Sequence, residues 1–178
     1  MDYILYIIIV LIIIYIIVKA IVMPRVKKKK AEELLSKYEE KGYKLSIGNK
    51  HNYDYILENE EIALFIKLIT VPTNSQITIN NVSTWILSWG GDPNKLGRSY
   101  PNERFMAEVI DFIKADYRED KTIIKLILIY PHTEKILRYI NESELEIITP
   151  DKTPYGYKVT NFNKFDQDFD TIINIKSR

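Results

Sequence analysis

YDYILENEEIALFIKLI, residues 53–69, is the stretch on which the reading of this chain turns. Residues 62–69 are apolar on both alternating faces except for one charge, Lys67. A strand covered on both faces reads as a continuous Ile/Leu/Val run, so 62–69 is predicted to be a central strand. Residues 53–57 form a shorter apolar run with one carboxylate, Asp54. Between them lies Glu58-Asn59-Glu60-Glu61, a polar break in which Asn59 is suited to a left-handed turn. The whole predicts a hairpin with one Asp and one Lys against an apolar background, and those two residues are the first candidates for chemistry.

Upstream, residues 43–52 read as a polar connection and 31–42, AEELLSKYEEKG, as a surface helix. Leu34, Leu35 and Tyr38 share one face of that helix, and Gly42 is its expected stop. Residues 3–23, YILYIIIVLIIIYIIVKAIVM, are apolar for sixteen residues before Lys19. At about 1.5 Å per residue such a helix crosses the hydrocarbon core, with Lys19 near one end to reach the interface. A cleaved signal peptide fits poorly: the only charge before the run is Asp2, and no small-x-small site follows. Lys27, Lys28, Lys29 and Lys30 come next, and positive charge gathered on one side of a span places that side in the cytoplasm. The expected organisation is a transmembrane anchor over 1–23, a basic juxtamembrane linker over 24–30 and a cytoplasmic domain over 31–178. The expected partners are the lipid bilayer and, through the four lysines, anionic headgroups.

Downstream, residues 76–80 alternate as a half-buried strand, while 82–89 fit a strand or a short helix. Residues 90–102, GGDPNKLGRSYPN, hold three of the six glycines and two of the seven prolines and are predicted to be a loop. They match neither the P-loop nor the dinucleotide-binding pattern. Asn102 is expected to cap a helix over 103–117 whose apolar face is Phe105, Met106, Val109, Ile110 and Ile113. Residues 122–130 form a second buried strand that contains Lys125 and is ended by Pro131. A short helix from Thr133 to Ile140, a strand over 145–149, an edge strand over 157–160 and a C-terminal amphipathic helix with Phe165, Phe169, Ile172 and Ile173 complete the expectation.

Composition excludes several functions. The absence of cysteine removes disulfides, thiolate metal sites and thiol nucleophiles. Two histidines far apart, His51 and His132, give no basis for a histidine zinc site. From Ala31 onward there are 19 Lys+Arg against 23 Asp+Glu, which gives no support to strong non-specific binding of nucleic acid. A local basic patch stays open, as do nucleic acid and protein as partners.

The order helix, three strands, helix, strand, helix, strand predicts a mixed sheet flanked by helices. Over roughly residues 31–149 it resembles the restriction-endonuclease-like PD-(D/E)xK nuclease fold, and within it NERD, a nuclease-related domain. Tyr53-Asp54-Tyr55-Ile56 resembles the aspartate-bearing strand of that family, 62–67 the strand with its Glu-x-Lys triplet, 76–85 the next strand and its tryptophan, and Tyr100-Pro101 the Asn-Pro segment before its helix. The resemblance implies an α/β restriction-endonuclease-like domain behind one transmembrane helix, with Asp54 and Lys67 in the site and Asp54 as a metal ligand. Phe65 stands where the family has its glutamate, and Arg104 stands near the place of its glutamine. Two carboxylates are needed to hold the metal that activates water. Glu61, of the same strand parity as Lys67, and Glu103, at the start of the expected helix, are the candidates to replace the missing one. The same residues also read plainly, Asp54 as a strand-edge carboxylate in water and Lys67 as a lysine reaching out along its own stem. The implied function is a membrane-anchored, nuclease-like domain, catalytically degenerate and active in binding or scaffolding, with no cofactor expected. The alternative is an active tethered nuclease that uses Mg²⁺.

Overall fold

A computed structural model describes residues 2–48, 52–95, 99–117, 120–141 and 143–174. The chain divides into two compact units, residues 1–42 and 43–178.

The first unit is helical throughout. Helix α1 (Asp2–Ile17) passes through a π-helical segment (Val18–Val22) into α2 (Met23–Ser36), and a 3-10 turn (Glu39–Lys41) follows. Pro24 stands where the π-helical segment hands over to α2, inside a continuous helix in which its ring removes one backbone N–H. The basic stretch is therefore helix, laced by the i,i+4 pairs Lys28–Glu32 and Lys29–Glu33 at 3.8 and 3.7 Å. Gly42 ends the unit in the left-handed conformation (φ 84°). This is one helix long and apolar enough to cross a membrane, and its residues 3–22 are exposed on every side. A buried core helix has no such exposure.

The second unit holds ten strands and two helices among the described residues. The strands are β1 (Lys44–Ile47), β2 (Tyr55–Glu58), β3 (Ile62–Thr70), β4 (Ser75–Asn81), β5 (Thr84–Trp89), β6 (Asn102–Phe105), β7 (Thr122–Tyr130), β8 (Lys135–Asn141), β9 (Glu144–Ile147) and β10 (Lys158–Asn161). The helices are α3 (Ala107–Lys114) and α4 (Phe165–Ile173). The expected single sheet is instead two mixed sheets, ordered β1-β2-β3-β7-β10 and β6-β5-β4-β8-β9. β3 is central, as its sequence predicts, and pairs in parallel with all nine residues of β7. Beyond the ends of these strands the chain runs on into β4 and β8, which pair in parallel in the second sheet. The two segments thus leave the first sheet together and enter the second together.

A buried hydrogen-bond network stitches this crossing. The Thr133 hydroxyl donates to the Ser75 carbonyl (2.7 Å), and the Ser75 hydroxyl lies 3.0 Å from it. Thr133 N–H donates to Asn161 Oδ1 (2.9 Å), and Asn161 Nδ2 returns a bond to the Thr133 carbonyl (3.0 Å). Thr133 therefore caps no helix. The segment after it is strand β8, because Ile136 and Leu137 lie opposite Ile77 and Thr78.

The main core takes Phe65, Ile69 and Ile127 from the first sheet, Ile77, Trp85 and Leu87 from the second, and Met106, Val109 and Phe112 from α3 and its approach. On the other face of the first sheet, α4 buries Phe165, Phe169 and Ile172, with Tyr43 edge-on to Phe169 at 5.3 Å. Three further expectations are corrected. Residues 44–47 are a strand, not a polar connection. Residues 102–105 are an edge strand, so Tyr100-Pro101 opens no helix, Asn102 caps none, and Phe105 is 52 % exposed rather than core. Asn59 is not left-handed; it turns the hairpin by accepting the N–H groups of Glu61 (3.0 Å) and Ile62 (2.7 Å) on Oδ1.

Thr133→Val keeps the shape and removes the hydroxyl from this stitch. It is expected to lower stability by about 0.5–1.5 kcal/mol, the net worth of one buried hydrogen bond, because the Ser75 carbonyl keeps the Glu134 N–H (2.9 Å) and the Ser75 hydroxyl keeps the Pro72 carbonyl. Denaturation of the full chain in detergent measures this, and an unchanged transition contradicts it.

Candidate functional site

Hairpin register brings Asp54 and Lys67 together. Tyr55 lies opposite Ile66 and Asp54 N–H donates to the Ile66 carbonyl (2.8 Å), so Asp54 is level with Lys67. The ammonium is 3.7 Å from Asp54 Oδ2, and the same oxygen accepts the Leu68 N–H at 2.8 Å. Lys67 is only 8 % exposed, while Asp54 is half-buried and open to water on one side. Gly48 sets this corner: its N–H donates to the Asp54 carbonyl (2.8 Å), and a Cβ there would stand 2.1 Å from the Tyr53 ring. Only glycine allows that approach.

Two further charges complete the site, and one of them sequence reasoning missed. Glu108, in the first turn of α3, receives Arg104 bidentately, at 3.1 and 2.6 Å. Burial works to raise the Glu108 pKa, but the Arg104 hydrogen bonds, and after them the charges of Arg104 and Lys67, hold it below its ordinary value. Lys67 pairs with Asp54, from the approach to β2, and Arg104 pairs with Glu108, on α3, so that each pair cancels in formal charge. The signal in the sequence was the i,i+4 spacing of Arg104 and Glu108, hidden because Arg104 lies in strand β6 and not in the helix that holds Glu108.

Phe65, two residues before Lys67 on the same face, is 3 % exposed. Its ring stacks on Tyr117 at 4.2 Å and meets Tyr53 edge-on at 5.1 Å. Burial, and then Tyr53, push the Tyr117 phenol up to about 12, so it is neutral at physiological pH. Lys125 does not reach out to solvent. It donates to the carbonyls of Ile113 (2.7 Å) and Ala115 (2.5 Å) at the end of α3, with its ammonium 5.1 Å from the Tyr117 ring centroid. This side of the site is an aromatic wall held by a lysine cap.

The two candidate replacement carboxylates lie elsewhere. Glu61 is in the hairpin turn, six residues from Lys67 along the strand, about 20 Å at the usual rise. Glu103 is exposed on β6 in the second sheet, opposite Ser88. Neither joins Asp54. A divalent metal does not fit the donor set present: Asp54 already faces an ammonium and an N–H, Glu108 is bound by a guanidinium, and Phe65 offers no ligand. No group of three or more metal-ligating side chains occurs among the described residues. Trp85 is wholly buried in the core, and Trp89 ends β5 beside Asn102. His132 lies in the crossing after β7; His51 and the 96–98 part of the loop fall outside the described residues.

Removing Asp54 leaves a buried ammonium and the Leu68 N–H without their acceptor, whereas removing Lys67 leaves only a water-facing carboxylate. Asp54→Ala is expected to cost about 1–3 kcal/mol and Lys67→Met clearly less, and denaturation of both variants checks the order. Equal costs would contradict it. Because the Glu108 pKa is lowered on folding, its contribution is present above the ordinary value of 4.5 and is lost as pH falls through the folded value. The pair is more than a third exposed, so the increment is under about 1 kcal/mol. Glu108→Gln should flatten the acid limb of stability against pH below 4.5, and an unchanged limb would contradict this.

No family model matches the chain, and neither a curated protein nor a solved structure is significantly similar to it.

Proposed function

We propose that the chain is a single-pass membrane protein whose second unit is a nuclease-like domain, of the NERD and PD-(D/E)xK kind, that binds a partner and does not cleave. The observation that carries this reading is Phe65. The aspartate and lysine of the family pattern stand side by side, at 3.7 Å, while the position between them and the hairpin turn is an aromatic ring packed on Tyr117. Hydrolysis of a phosphodiester in that family needs two carboxylates free to hold a metal. In this chain Asp54 faces the Lys67 ammonium at 3.7 Å, and Glu108 is held by Arg104. A self-compensated cluster, half-open at Asp54, is suited to polar recognition of a partner. Its target is a protein: from Ala31 onward acid outnumbers base, 23 to 19, which works against holding a phosphate backbone.

Helix α1 and the π-helical segment form the anchor in this reading. Lys27, Lys28, Lys29 and Lys30 place the second unit in the cytoplasm and rest against anionic headgroups, with the N-terminus outside. A second reading has one observation in its favour, a carboxylate, Glu108, in the first turn of α3, the helix that packs against β3. It is an active tethered nuclease in which Glu108 supplies the missing carboxylate.

Two experiments test this. Alkaline carbonate extraction should leave the full chain in the membrane pellet, and release into the supernatant would overturn the anchor. The purified full chain in detergent should show no Mg²⁺- or Mn²⁺-dependent cleavage of DNA or RNA above a mock preparation. Cleavage abolished by Asp54→Ala, Lys67→Ala and Glu108→Gln would establish the second reading instead.

A further inference from the structure

We infer that the outer face of the second sheet is a homodimer interface, with a second copy of this chain as its occupant. This goes beyond the function proposed above and does not rest on it. The sheet's inner side chains, among them Ile77, Ile79, Trp85 and Leu87, fill the core. The alternate residues point away from it. Register puts Phe105, Ile86, Thr78, Leu137 and Ile147 in one row straight across all five strands, β6 to β9. Tyr139 and Leu145 face each other in the next level. Phe105, Tyr139, Leu145 and Ile147 are 52, 38, 54 and 59 % exposed, Ile86 and Thr78 are half-buried, and Leu137 is buried. Large apolar groups at both margins of one row are unusual for a solvated sheet face, which alternates apolar-in and polar-out.

The row is self-complementary. β4 is the middle strand of the five, and Thr78, a small polar residue, is the middle of the row. A two-fold axis along β4 between two face-packed sheets sets Thr78 against its own copy. It sets the exposed Phe105 against the exposed Ile147, apolar on apolar, on either side of that centre. The same rotation suits the charges of the neighbouring level, where Glu103, Ser88, Gln76 and Lys135 run across the sheet with acid at one side and base at the other. It carries Glu103 of one copy to within about one strand spacing of Lys135 in the other, roughly 4.8 Å sideways. An axis across the strands has no such match, because it lays the charged level on Tyr139 and Leu145. Edge-to-edge pairing of β9 with itself is disfavoured, since that strand carries Glu144 and Glu146 and would bring like charges together.

Five strands about 4.8 Å apart and about 20 Å of strand length present roughly 500 Å² per copy. That is below the roughly 800 Å² per partner of a standard interface, so the dimer is of the reversible kind.

The cysteine-free chain allows a direct test. Single-cysteine variants of the full chain, in membranes and in detergent, are treated with a short bismaleimide, since face-packed sheets stand about 10 Å apart. Thr78→Cys, on the axis, is expected to cross-link to itself. Phe105→Cys mixed with Ile147→Cys is expected to cross-link as a pair, with neither doing so alone, and Lys44→Cys on the other sheet is expected to stay monomeric. Adding Ile147→Lys should cut Thr78→Cys cross-linking at least about tenfold by placing a charge against the Phe105 copy. The residue is exposed, so the variant folds. A monomeric Thr78→Cys overturns the proposal. Self-linking of Phe105→Cys as strong as the mixed pair does the same. So does a Thr78→Cys that stays monomeric yet is shielded from water-soluble maleimide only in membranes, which assigns the face to lipid or another protein.

Discussion

The second unit depends on one constraint: β3 is buried on both faces and paired along its whole length with β7. Each strand is nine residues of nearly continuous Ile and Leu, and neither face can be left to water. One face takes α4, and the other takes the second sheet and α3. Because both strands run on into β4 and β8, the parallel pairing that starts in the first sheet also sets the register of the second. The Thr133–Ser75–Asn161 network lies at that hand-over, in a buried turn where side chains join the backbone in satisfying the polar groups.

Lys67 is the exception to that apolar pattern, and the site follows from accommodating it. A cation in the covered face of a central strand is tolerated only beside opposite charge. Asp54 supplies this because hairpin register puts it level with Lys67, and Gly48 lets Tyr53 and Asp54 fold in so closely. Glu108, on the neighbouring α3, is bound by Arg104 at two points. The result is a closed account of charge, two acids and two bases, beside a wall made by Phe65, Tyr53 and Tyr117. Phe65 belongs to the core as fully as Ile69 does. A side chain there is chosen by packing, and a carboxylate in its place would enter an aromatic stack.

Much of this was legible in the sequence where the signal is local and strong. Residues 62–69 and 122–130 are unmistakable as buried strands, 76–80 alternates cleanly, and Phe165, Phe169 and Ile172 have the spacing of one helix face. β1 and β6 were missed because four-residue edge strands such as KLSI and NERF carry no period to read. Residues 133–140 read as helix in the sequence because Ile136, Leu137 and Ile140 also fit helical spacing, whereas Lys135–Asn141 is a strand. Only pairing with β4, sixty residues away, decides it. The division into two sheets is equally long-range and left no trace in element order. In the site, Asp54 and Lys67 were found because each stands alone in an apolar run. Glu108 was missed because its importance comes from where α3 is docked, and Glu61 and Glu103 were chosen on strand parity and an expected helix that register and strand β6 replace.

The central claim is that the carboxylates around Lys67 are already satisfied by protein cations. The most direct measurement is the binding of Mn²⁺ to the full chain in detergent, followed by the loss of its free-ion EPR signal. The account predicts no stoichiometric binding tighter than about millimolar, because a dication entering the site would have to displace Lys67 from Asp54 and Arg104 from Glu108. One tightly bound Mn²⁺ per chain, lost in both Asp54→Asn and Glu108→Gln, would contradict it.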